Sequence, residues 1–379
     1  MTNQTTRWVT TRWVTTCWVT TRGVTACGVA LIAVLTISAH LNQARPQAAP
    51  AQAPAAAADT GFEMLPVAGN VYLFAGTGAN VVVQATDEGA LFVDSGAEAA
   101  TSRMIEEVRK LTKRPIRYVI NTSADPDHVA GNEKISEAGR NFANQVPNLG
   151  GVGAAVAGGG AGGGGGRGGM RTQGAQVYAH EAVLNRMSAP TGAASAVPFP
   201  LWPSDTFFTM KKTLYFNGEA IELLHRPAAH TDGDLMVFFR RSDVIAAGDI
   251  YTPDRFPMID LARGGTVQGV LDGLNQIIDI TVPRFNQMGG TLVVPGHGRI
   301  SNESDVVEYR DMATIVRDRI QLMISKNMTL EQVRAANPVR DYEGIYDRTP
   351  AWTKAMFIEA VYRDLSKPKT PARPAGAGR

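Results

Sequence analysis

The stretch Tyr118-Val119-Ile120-Asn121-Thr122-Ser123-Ala124-Asp125-Pro126-Asp127-His128-Val129-Ala130-Gly131-Asn132 begins as a strand and ends as a loop rich in acid and imidazole. Residues 117–121, RYVIN, are mostly β-branched and aromatic, and the run stops where Asp, Pro and Gly take over. Upstream, the short runs VYLF (71–74), NVVVQA (80–85) and ALFVD (90–94) read as a meander of adjacent strands. A helix is expected over 97–111, where Met104, Val108 and Leu111 share one face, so the chain makes a β-α-β step into RYVIN. Downstream, VYAH (177–180) precedes a helix carrying Val183, Leu184 and Met187. TLYF, IELLH, LMVFF and DVIAAGD then place four strands within residues 213–249. A helix over 266–279, a strand TLVVPG (291–296) and helices from 304 onward complete the body, with Thr329 and Gln332 spaced as a capping box. Strands in two batches, each followed by helix, predict two sheets with helices outside them in a layered α/β domain.

Chemistry concentrates where those strands end. The chain has six His, at 40, 128, 180, 225, 230 and 297. Three lie in loops that follow a strand: NTSADPDHVAGN (121–132), RPAAHTDGD (226–234) and VVPGHG (293–298). AAGD (246–249) delivers a carboxylate in the same way. Loops at one edge of a layered sheet converge, so Asp127, His128, His230, Asp249 and His297 are expected to share a pocket. Three imidazoles with carboxylates suit Zn, Fe or Mn better than the all-oxygen shells of Ca or Mg. Asp94, in VDSG, reads as a hydrogen-bonding residue that orients loops. His180, at a helix start, and His225, within a strand, read as structural or as supports behind the ligands.

Composition removes several alternatives. With 37 basic and 35 acidic residues and no basic run outside the extreme tail, the chain has no nucleic-acid footprint. Both Cys, at 17 and 27, precede the body, which excludes a disulfide scaffold, a Cys zinc site and a Cys nucleophile there. Residues 1–45 combine a basic start, the apolar stretch GVALIAVLTISA and small residues beyond it, as in an export signal, cleaved or kept as a membrane anchor. Removing them leaves 33 of the basic residues against 35 acidic ones, a mildly acidic mature protein in the periplasm or medium. Residues 46–60 read as a Pro/Ala linker, 149–170 as a flexible Gly-rich insertion and 367–379 as a solvated tail.

The segments VYLFAGTGANVVV (71–83), LFVDSG (91–96), YVINTSADPDHVAGN (118–132), VYAHE (177–181), PAAHTDGD (227–234), IAAGDIY (245–251), FPMIDLARGG (256–265) and VVPGHG (293–298) together resemble, in order, the metallo-β-lactamase-fold hydrolases. The resemblance implies an αββα sandwich over residues 61–300, with a C-terminal helical extension over 301–366. It also implies a one- or two-metal site at the edge between the sheets. The family's T-H-x-H-x-D-H becomes Thr122-Ser123-Ala124-Asp125-Pro126-Asp127-His128, so two imidazoles are replaced by Ser123 and Asp125. One metal position keeps Asp127, His128, His297 and the bridging Asp249. The other keeps His230 and Asp249, with Asp125 as a substitute carboxylate ligand. Ser123 is a poor ligand because its hydroxyl must first lose a proton.

The implied protein is an exported hydrolase in which metal-bound hydroxide attacks an ester, thioester or amide carbonyl, a β-lactam included. Zn2+ is expected at one firm position, with Fe or Mn as alternatives. Asp127, Asp125 and His230 are candidates for proton transfer. A degenerate member that binds a ligand or partner without turnover is the competing reading, and an iron site handling oxygen is a third. The expected partner is a small-molecule substrate, with membrane contact only through an uncleaved N-terminal anchor. Phe199, Trp202, Phe207 and Phe208, in the 188–208 stretch, are candidates to line an apolar pocket or to pack in the core.

Overall fold

A computed structural model describes residues 61–141, 174–192, 194–281 and 290–367. The expected leader, linker and Gly-rich insertion, and the tail from residue 368 onward, lie outside these residues.

The first sheet begins as an antiparallel run of β1 (Glu63–Ala68), β2 (Val71–Ala75), β3 (Val81–Ala85) and β4 (Ala90–Val93). Helix α1 (Glu98–Leu111) then carries the chain across to β5 (Ile116–Ile120), which pairs parallel with β4. Two short helices follow the strand end, α2 (Pro126–Val129) and α3 (Asn132–Ala138). The sheet continues in parallel through β6 (Gln176–His180), which leads into α4 (Glu181–Ser188), and closes on β9 (Asp205–Phe207). A two-stranded ribbon, β7 (Pro190–Thr191) with β8 (Ala194–Ser195), lies between them in sequence. The spatial order is β1-β2-β3-β4-β5-β6-β9.

The second sheet runs β10 (Lys211–Phe216), β11 (Glu219–His225), β12 (Leu235–Phe239), β13 (Val244–Ala246) and β14 (Leu292–Val294). Its last pair is parallel, with α5 (Val267–Ile280) in the connection between the two strands. Three helices follow: α6 (Glu303–Ser325), α7 (Leu330–Ala336) and α8 (Lys354–Leu365). No helix among the described residues is long and apolar enough to cross a membrane.

The layers follow from the two-residue period of a strand. Along β12, Leu235, Val237 and Phe239 enter a core that also holds Val71, Leu73, Leu91 and Val93 of the first sheet. Met236 and Phe238 point the other way, into a core shared with α5 and the C-terminal helices. Along β4 the same split sends Leu91 and Val93 between the sheets and Ala90 and Phe92 against Met104 and Val108 of α1. Both faces of the central strands are covered, so these runs are continuously apolar instead of alternating. The result is the αββα sandwich, with further helices stacked outside the second sheet.

The candidates from the 188–208 stretch divide. Phe207 joins the core between the sheets, and Trp202 packs against Val129, Ala179, Val183 and Met187. Phe208 is 76% exposed, and Phe199 meets the Trp202 ring edge-on at 5.2 Å. None of the four lines the cavity beside the acid and imidazole cluster, which other residues form.

Candidate metal centre

Four strand ends supply the site, and buried hydrogen bonds aim each loop. After β4, Asp94 adopts φ 64 and accepts from the Thr122 amide and hydroxyl, both at 2.7 Å. Its Oδ2 also lies 2.8 Å from His128 Nδ1, so Asp94 couples the ends of β4 and β5 and turns His128 Nε2 toward the centre. After β14, the Asn80 side chain donates to Pro295 O and Gly298 O at 3.0 and 2.9 Å, tying the loop of His297 to the first sheet. Gly296 permits the approach of Asp249: a Cβ there would stand 2.2 Å from Asp249 Oδ1.

The expected residues do converge. Asp127, His128 and His297 present donor atoms within 4.8 Å of one another, and Asp125, His230 and Asp249 do the same. His297 Nε2 is 3.2 Å from Asp127 Oδ2 and 3.6 Å from Asp249 Oδ1, and His128 Nε2 is 3.4 Å from Asp249 Oδ2. Two donors on one tetrahedral zinc, each at about 2.1 Å, stand roughly 3.4 Å apart. His128 Nε2 and Asp249 Oδ1 are buried and have no hydrogen-bond partner among the described residues. Orphaned atoms of this kind in a buried polar site are what a cation satisfies. The donor set Asp127, His128, Asp249 and His297 therefore fits a divalent metal, and Asp249 lies between the two groups.

The other group is closed on itself. His230 Nε2 is 2.8 Å from Asp125 Oδ2, a direct hydrogen bond, and 4.0 Å from Asp249 Oδ2. Asp125 Oδ1 is taken by Nη1 of Arg263. Ser123 Oγ accepts the Asp125 amide at 3.2 Å, so this hydroxyl serves its own turn. Arg263 lies in one of the segments quoted above, yet its sequence context supplied no reason to aim it at Asp125, 138 residues earlier.

Electrostatics follow this arrangement. Burial disfavours charge on Asp125, but the His230 hydrogen bond and the neighbouring Arg263 outweigh it and pull its pKa down to about 2. Burial likewise lowers His230, and the hydrogen bond to Asp125 with the surrounding carboxylates lifts it to about 9. His128 is fully buried, yet Asp94 and Asp249 on either side raise it well above the usual histidine range. The imidazoles around Asp249 hold its carboxyl far below the ordinary value despite complete burial. Ligation needs imidazoles and carboxylates without their protons, so cation binding at such a donor set competes with protons and is pH-dependent.

His180 and His225 are absent from the cluster. Their rings stack at 3.5 Å; His180 caps α4 by accepting from Ala182 N, and His225 Nε2 faces Asp232 O at 2.8 Å. Beside the centre, a cavity of about 370 Å³ is lined by His230, Met258, Leu261, Arg263, Trp352 and Met356 among others.

An αββα sandwich with metal-capable acid and imidazole groups at its sheet edge defines a class, and sequence comparison agrees. The chain matches the family model described as Metallo-beta-lactamase superfamily over residues 73–297, and it belongs to that superfamily. No curated protein matches it. The structure is similar to that of the stereoselective inverting sec-alkylsulfatase from Pseudomonas sp., with a TM-score of 0.53 and 14% identity over 80% of this chain. The match covers 50% of the alkylsulfatase, so the chain spans about half of that protein's length. A metallo-beta-lactamase from Pontibacter korlensis is similar over 67% of this chain and 99% of its own, with a TM-score of 0.46 and 14% identity. At 14% identity the likeness to the alkylsulfatase is one of fold. Membership and the metal-capable groups support a metallo-hydrolase at the level of the superfamily.

Proposed function

We propose that this protein is an exported hydrolase that uses one divalent metal, held by Asp127, His128, Asp249 and His297, to cleave an ester, thioester or amide. The observation that carries this reading is the pair of orphaned buried atoms, His128 Nε2 and Asp249 Oδ1, in a donor set spaced for a single ion. Zn2+ suits two imidazoles and two carboxylates, and Fe or Mn are the alternatives. When bound, such an ion supplies Lewis acidity that polarises a carbonyl and makes water a better nucleophile at neutral pH.

The protein's own groups do the rest. Asp127, 39% exposed in its side chain and facing His297, is the carboxylate of the set most open to incoming water. His230, hydrogen-bonded to Asp125, borders the cavity and is the imidazole placed to pass a proton to a leaving group. Met258, Leu261, Trp352 and Met356 give that cavity an apolar wall, which fits a substrate with an apolar substituent beside the scissile bond. The basic and then apolar sequence of residues 1–45 supports export.

The test is metal analysis of the purified full chain after loading with Zn, Fe or Mn, followed by assay against ester, thioester and β-lactam panels. Metal content near zero would overturn the hydrolase reading and leave a ligand-binding member of the fold.

A further inference from the structure

We infer that the Arg263 guanidinium takes the place of one of the two cations of a dinuclear site, so that this centre is built for a single metal. The inference rests on the metal-dependent reading above and concerns the half of the site formed by Asp125, His230 and Asp249.

Spacing separates the two halves. Donor pairs of 3.2, 3.4 and 3.6 Å around His297 and His128 leave room for an ion between them. The 2.8 Å contact of His230 with Asp125 is shorter than the roughly 3.4 Å that two donors on a tetrahedral ion require. Both His230 nitrogens are engaged, Nε2 by Asp125 and Nδ1 by Met258 O at 3.2 Å, in contrast to the orphaned Nε2 of His128. Ser123 is turned to its own loop, and the remaining Asp125 oxygen is held by Arg263.

The guanidinium is mounted for this position. Asp260 accepts the amides of Ala262 and Arg263, both at 3.0 Å, and binds Arg263 Nε at 2.6 Å. The segment is stitched to the loop of His230 by Asp260 N to His230 O and Asp232 N to Arg263 O, each 2.9 Å. At Gly265 the two loops touch so closely that a Cβ would stand 2.1 Å from His230 O. Asp125, Asp127 and Asp249 concentrate negative charge at the sheet edge, and a positive charge fixed beside them offsets the cost of burying it. Arg263 supplies one covalently, in a planar fork that matches a carboxylate. Because Arg263 and His230 both border the cavity, a substrate oxygen there meets a guanidinium where a dinuclear relative would offer a second ion.

The experiment counts metal in three full-length proteins, native, Arg263→Met and Asp125→Asn, after saturation with Zn2+ or Co2+. Bound equivalents are read by elemental analysis and by the Co2+ absorption spectrum. The native protein should hold one equivalent. Arg263→Met, which frees Asp125, should rise toward two. Asp125→Asn should still hold one at unchanged affinity, because Asp125 partners Arg263 and does not ligate. A second equivalent in the native protein, an Arg263→Met protein that stops at one, or loss of metal from Asp125→Asn would each overturn the inference while leaving the hydrolase reading intact. No metal in any of the three would overturn both. If Arg263→Met does not fold, Arg263→Gln, which removes the charge but keeps a polar side chain, is counted in its place and should likewise rise toward two; a count of one would overturn the inference.

Discussion

Asp94 touches no metal donor position directly, yet Asp94→Asn should weaken metal binding about 10- to 100-fold, the usual effect of losing the partner that orients a ligating imidazole. The carboxylate is 2% exposed and receives three contacts: Thr122 N at 2.7 Å, Thr122 Oγ1 at 2.7 Å and His128 Nδ1 at 2.8 Å. An amide keeps the shape but replaces one acceptor oxygen with a donor NH2, so at least one of those donors faces another donor. A buried donor left unpaired costs about 1–3 kcal/mol. A 10- to 100-fold loss of affinity is about 1.4–2.7 kcal/mol, the same scale. Asn also tolerates the left-handed backbone at this position, where φ is 64, so the substitution isolates the hydrogen bonds from strain. The assay is competition of the loaded protein against a chelator, with circular dichroism as the control for folding. A folded Asp94→Asn protein with native affinity would refute the claim that Asp94 sets the aim of His128.

Further outcomes follow from the same geometry. Asp127→Ala and His297→Ala should each abolish stoichiometric metal binding, whereas Ser123→Ala should leave it unchanged; equilibrium dialysis separates these, and loss of metal from Ser123→Ala would contradict the site map. In the chelator-treated protein, His230 is raised to about 9, so its contribution to stability is complete below the unfolded value near 6.5 and is lost as pH rises through 9. That contribution is at most roughly 3 kcal/mol, since it is shared with Asp125, and His128 adds to it with the same sign. Asp125, lowered to about 2, contributes above about pH 4 and loses its contribution as pH falls through 2. Urea midpoints should therefore be highest between about pH 4 and 6.5, and a flat profile up to pH 9 would exclude the His230–Asp125 pair. Gly265→Ala places a methyl 2.1 Å from His230 O and should destabilise by about 1–3 kcal/mol or more, read as a lowered unfolding midpoint.

Much of this was legible because it is periodic or local. The β-branched runs became strands, and Met104 and Val108 faced the first sheet as their spacing requires. The segments after β5, β11, β13 and β14 did bring Asp127, His128, His230, Asp249 and His297 together, although Asp127 and His128 sit on the short helix α2 where a loop was expected, and Asp94 did prove to be a hydrogen-bonding residue. Strands β1 and β9 escaped the reading. Both are edge strands, one interrupted by Pro66 and a register shift, the other three residues long, so neither carries a buried alternating pattern.

The amino-acid sequence by itself determined the layered α/β class, the four loops that carry the donors and the loss of two imidazoles at Ser123 and Asp125, because these depend on residue type and on neighbours along the chain. Only the tertiary structure decided what that loss means. Whether Asp125 is free to ligate depends on Arg263, 138 residues away, and on a difference of a few tenths of an ångström between a hydrogen bond and a gap that admits an ion. The same holds for Asn80, whose grip on the His297 loop crosses from one sheet to the other. Contacts between distant segments are set by the packing of the two sheets, and no local pattern of residues encodes their lengths.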